Sequence, residues 1–99
     1  MVSEELDTAS AEQIYRELYK TLGKAIGPQM ARNIIKMGDE GFDREKPVES
    51  LKDLNESLVT AFGKTTAHVM LSTSVKCCFE SERAQALMNE LNKLGILGD

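Results

Sequence analysis

The chain has 99 residues, 41% of them apolar and 28% charged, a balance that excludes a disordered or low-complexity chain and allows one domain with a modest core. Its formal net charge of −4 argues against a phosphate-backbone binder, which needs clustered Lys and Arg. No apolar run approaches the ~20 residues that cross a bilayer, and the acidic start MVSEELD lacks the basic and apolar regions of a signal peptide. The expectation is a cytoplasmic protein with no nucleic-acid partner and no membrane insertion.

Residues 1–9 show no apolar periodicity and read as a flexible N-terminus, leaving 10–99 as a single domain. Ser10, with Gln13 three residues on, has the pattern of a capping box. Ile14, Leu18, Leu22 and Ile26 then recur at i, i+4, i+8 and i+12, with Tyr15 and Tyr19 beside them, which predicts one apolar face of a first helix. Gly23 interrupts this face at a cost of ~1 kcal/mol, so the helix either ends there or runs loosely to Gly27, where Gly27-Pro28 is a clear break. Pro suits the first turn of a new helix, predicted over Pro28 to about Met37 with Met30, Ala31, Ile34 and Ile35 inward and Gly38 as the stop. A polar loop from Asp39 to Lys46 follows, with Phe42 tucked beneath it. A third helix opens at Pro47 or Ser50, carries Leu51, Leu54, Leu58 and Phe62 inward, and ends at Gly63.

The stretch Ala67 to Phe79, AHVMLSTSVKCCF, alternates. Val69, Leu71, Thr73, Val75, Cys77 and Phe79 share one parity, and His68, Met70, Ser72, Ser74, Lys76 and Cys78 the other. Successive side chains of a strand point to opposite faces, so this predicts a strand with its odd residues buried. It is either one long strand or a hairpin folding back near Ser72-Thr73-Ser74, although no Gly, Asn or Asp marks a turn there. A helix from Lys64 to Phe79 can also be drawn, with Ala67, Met70, Leu71, Ser74 and Cys78 on one face. The β-branched and Ser/Thr content disfavours it. Ser81 is the predicted cap of a last helix with Ala84, Leu87, Met88 and Leu91 inward, Gly95 as its stop, and Leu94 and Ile96 packing beyond.

The expected fold is therefore α+β: three N-terminal helices, one long strand or β-hairpin, and a C-terminal helix, with the helices on one face of a small antiparallel sheet. An isolated two-stranded unit is marginal and a bare strand edge invites pairing, so a homodimer is expected in which the two copies complete the sheet by joining strands or pack their first and second helices together.

Candidate chemistry is sparse. Cys77 and Cys78 are adjacent, so they face opposite ways on a strand and make no structural disulfide. Cys77 reads as a small core hydrophobe and Cys78 as a surface or pocket thiol. A metal site needs about four ligands, and one His with one Cys pair is too few. No nucleophile and orienting acid can be assigned to His68, the sole histidine. The acids around Gly41 lack calcium-loop spacing, and Gly23, Gly27 and Gly41 form no phosphate-cradling loop. Tyr15 and Tyr19 suit packing better than base stacking. His68, Met70 and Cys78, on the second parity of the strand, are the candidate ligand-binding residues; no catalytic residue, metal or cofactor is assigned.

The order of segments Leu22-Gly23-Lys24-Ala25-Ile26-Gly27, Ile34-Ile35-Lys36-Met37-Gly38, Ser50-Leu51-Lys52-Asp53-Leu54, Ala61-Phe62-Gly63 and Cys77-Cys78-Phe79 resembles part of the 4-vinyl-reductase-like domain. That family includes small-molecule-binding modules and subunits of vesicle-tethering complexes. The resemblance spans Tyr15 to Leu94, in a chain with too few strands to complete the family's sheet. It implies an α+β dimer that binds an apolar small molecule or a partner protein without catalysis of its own. The functional expectation is a non-catalytic binding or regulatory module. The alternatives are a small thiol-dependent redox protein or enzyme using Cys78 and His68, or a structural subunit of a larger assembly.

Overall fold

The computed structural model describes residues 7–35 and 41–96. The described residues form five helices: α1 (Thr8–Ile26), α2 (Pro28–Ile34), α3 (Pro47–Phe62), α4 (Lys64–Cys78) and α5 (Ser81–Lys93). They contain no strand, so the expected α+β sheet is replaced by an all-helical packing.

The first helix starts earlier than its capping pattern suggests. Asp7 is the N-cap, its Oδ1 accepting the Ser10 amide at 2.7 Å. A carboxylate here satisfies a free amide and meets the positive end of the helix dipole. Ser10 lies inside the helix, and its Oγ accepts a hydrogen bond from the Arg83 guanidinium of α5 at 3.0 Å. Helix α1 runs past Gly23 to Ile26, with Gly27 both closing it and opening α2. Ala31 and Ile35 of α2 are buried and Ile34 half-buried, whereas Met30, expected inward, is 54% exposed. The predicted stop at Met37–Gly38 lies outside the described residues. Phe42 packs edge-on against Tyr15 with ring centroids 5.6 Å apart. Arg44 reaches Glu12 at 2.9 Å, tying this loop to α1.

Leu51, Leu54 and Leu58 of α3 are buried as its stripe requires. Gly63 then ends α3 and starts α4 in a single residue at φ +92°. That angle is unfavourable for a residue with a Cβ, and it lets the chain reverse with no intervening loop. At the far end, the Ile96 amide bonds the Leu91 carbonyl at 2.9 Å and the Gly95 amide bonds the Asn92 carbonyl at 3.1 Å. This is a Schellman stop, with Gly95 at φ +80° and its apolar partners Leu91 and Ile96 both buried.

Helix α4, the segment predicted extended, is the centre of the packing: it lies against α1, α3 and α5. Ala67, Leu71 and Val75 are fully buried, while Val69 is 55% exposed and Thr73 and Cys77 are exposed. Odd parity is thus not a buried face, and Cys77 is a surface thiol instead of a core hydrophobe. The serines that argued against a helix are accommodated within it. Ser72 Oγ donates to the His68 carbonyl at 2.7 Å and Ser74 Oγ to the Met70 carbonyl at 3.0 Å. Bonding back one turn lets a helix bury hydroxyls at small cost. Packing of the Ala67-Leu71-Val75 row against three helices outweighs the modest β preference of the remaining residues. With no strand edge among the described residues, the reason for joining two copies through a sheet is gone.

Candidate functional site

The residues expected to touch a ligand do not converge. His68 is exposed near the start of α4, Met70 is half-buried, and Cys78 is half-buried at its end. Helical rise separates His68 from Cys78 by about 15 Å, and helical rotation puts His68 and Met70 roughly 160° apart. The Cys78 thiol donates a long contact to the Gln13 carbonyl, 3.8 Å. Burial pushes its pKa up, and the Glu17 carboxylate and the neighbouring Cys77 push the same way. A raised pKa keeps sulfur protonated and makes a poor nucleophile at neutral pH. Among the described residues, no cluster of three or more His, Cys, Asp or Glu could hold a metal. No helix among them is long and apolar enough to cross a membrane.

The structure opens a different site. Asp53, Glu56, Ser57, Thr60 and Ala61 follow one another at i, i+3, i+4, i+7 and i+8 on α3, which sets them in one row along the helix. This row flanks the leucine stripe that α3 buries, so it lies beside the core. Helix α2 covers it only in part: at seven residues it spans about 10 Å, against about 24 Å for α3. Between them lies an open groove of about 560 Å³, with Asn33 and Ile34 as its opposite wall. A second hollow of about 270 Å³ shares Ile34, Asp53 and Ser57 and continues the groove to Tyr15, Ile35 and Gly41. The loop held by the Arg44–Glu12 and Phe42–Tyr15 contacts therefore borders this end.

The groove has an apolar strip and an acidic wall. Ile34 and Ala61 give the strip, and Leu54 and Tyr15 deepen it at one end. Ser57 Oγ turns back to the Asp53 carbonyl at 3.1 Å. Among the described residues the Asp53 and Glu56 carboxylates form no ion pair; the ion pairs there are Glu12 with Arg16 and Glu12 with Arg44. Arg32 and Lys52 are exposed on the two helices but are not among the groove's lining residues. The site can thus accept apolar side chains together with cationic groups.

None of Glu56, Ser57, Thr60 and Ala61 stood out as a candidate in the sequence, except that Ala61 and Asp53 fell within segments of the family resemblance. The signal was present as small and acidic residues at helical spacing, displaced around α3 from its leucines. It gains meaning only once α2 proves too short to cover it.

No protein-family model matches the chain, and no characterised protein or solved structure matches it. The resemblance to the 4-vinyl-reductase-like domain implied a sheet that the described residues lack, so the functional reading rests on the surface of the chain itself.

Proposed function

We propose that this chain is a non-catalytic binding module that seats an amphipathic, basic helix of a partner protein in the groove between α2 and α3. One observation carries the reading: two carboxylates without cation partners among the described residues stand in a row with small residues beside an apolar strip. Small side chains at 57, 60 and 61 let a second backbone approach, apolar residues of the incoming helix meet Ile34, and its Lys or Arg residues meet Asp53 and Glu56. This is the helix-in-groove mode of recognition, with apolar anchors giving affinity and charge giving register.

The test is fluorescence anisotropy with a labelled amphipathic Leu/Lys helix. The wild-type chain binds it, Asp53→Lys/Glu56→Lys weakens binding at least tenfold, and Glu45→Lys/Glu49→Lys, an equal change of charge outside the groove, weakens it far less. Equal loss in both double variants would mean that the peptide responds only to net charge, and the groove would lose its assignment.

A further inference from the structure

A second groove lies where α4 ends and α5 begins, and it shares no lining residue with the first. It encloses about 320 Å³ among Lys76, Phe79, Ser81, Ala84, Gln85 and Met88. This is at the lower end of the ~300–1,000 Å³ typical of ligand pockets, so it suits one large side chain better than a whole helix. Its floor is apolar. Ala84 is buried, and Phe79 and Met88 are half-buried against the core.

One wall is held in place before anything binds. The Phe79 amide bonds the Val75 carbonyl at 3.1 Å, and the Arg83 guanidinium sits 5.8 Å from the centre of the Phe79 ring. Arg83 is itself anchored on Ser10 of α1 at 3.0 Å. A fixed aromatic wall loses little freedom on binding, and the flexible thioether of Met88 can adapt to the guest. The rim carries a single charge, Lys76, which is exposed, has no ion-pair partner among the described residues, and faces a lining without a carboxylate. Glu80 and Glu82 are exposed nearby in sequence but do not line the groove.

We infer that this groove is a second docking site, for a partner-protein segment in which a large apolar side chain stands next to a carboxylate. The apolar group enters between Phe79 and Met88, and the carboxylate meets Lys76. The two grooves then select opposite charges, which lets one small module join two different segments.

The experiment observes the Met88 methyl signal in methyl-labelled protein during titration. The probes are the acetylated pentapeptide Ser-Asp-Phe-Asp-Ser, its Lys-for-Asp counterpart, and decanoate. The acidic peptide shifts the Met88 signal. Lys76→Glu weakens its binding about fivefold, the scale of a partly exposed charge pair. Lys76→Arg retains it, and Asp53→Lys/Glu56→Lys leaves it unchanged, which separates this site from the α2–α3 groove. An unmoved Met88 signal at millimolar acidic peptide overturns the inference, as does an equal response to the basic peptide. Tighter binding of decanoate would assign the groove to a small amphiphile instead of a protein segment.

Discussion

Truncating side chains of α4 one at a time distinguishes the observed helix from an extended segment. Val69, Leu71 and Val75 share a parity, so a strand would bury all three together. The helix buries Leu71 and Val75 completely and leaves Val69 55% exposed. Leu71→Ala removes a fully buried isopropyl group from α4, the helix that packs against α1, α3 and α5, and should cost about 3 kcal/mol or more. Val75→Ala removes two methyl groups, worth about 2 kcal/mol with the cavity, less about 0.5 kcal/mol returned by the better helix propensity of Ala. Val69→Ala loses little contact and gains the same propensity, so its effect is near zero or slightly stabilising. Urea unfolding followed by far-UV circular dichroism reads these differences. With a slope of about 1–2 kcal/mol per M, Leu71→Ala lowers the midpoint by roughly 1.5–3 M. A Val69→Ala loss as large as that of Leu71→Ala would refute the helical face.

Further outcomes concern the start of α1 and the end of α4. Asp7→Ala should cost about 1 kcal/mol as a lost N-cap. The hydrogen bond from the Ser10 amide holds the Asp7 pKa below its usual 3.8, with the Ser10 side chain and Arg83 acting in the same direction. A depressed carboxylate pKa stabilises the fold fully above its ordinary value, and this stabilisation is lost as pH falls through the lower folded value. The gap between wild type and Asp7→Ala in urea midpoint should therefore be constant from neutral pH down to about pH 5 and shrink below about pH 3.8. A gap that widens in acid would contradict the cap. For the thiols, burial raises the Cys78 pKa while Cys77 is exposed, so in single-cysteine variants an aromatic disulfide reagent at neutral pH should label Cys77 severalfold faster than Cys78. Equal rates would show that Cys78 is open to solvent.

Much of the bundle was legible before folding was considered. The leucine rows of α1, α3 and α5 recur at helical spacing, and Gly27-Pro28, Gly63 and Gly95 punctuate the chain where helices end. The misreading of α4 has a specific origin. Positions 67, 71 and 75 form an i+4 row, and 69, 73 and 77 form another. Because four is even, both rows share one parity, so a helix with one inward and one outward row imitates an alternating strand. The β-branched Thr65, Thr66, Val69, Thr73 and Val75 strengthen that imitation. What separates the rows is contact with other helices, which depends on residues distant in sequence. The binding groove was hidden for the same reason: it exists between two helices, and neither carries it alone.

Amide chemical-shift mapping with the unlabelled Leu/Lys peptide reads out the proposed docking of a basic helix between α2 and α3. The expected shifts concentrate at Asn33, Ile34, Asp53, Glu56, Ser57, Thr60 and Ala61, with those same amides unmoved by a Leu/Glu peptide of matching pattern. Shifts scattered over all acidic surfaces, or a response of this face to both peptides alike, would contradict that docking.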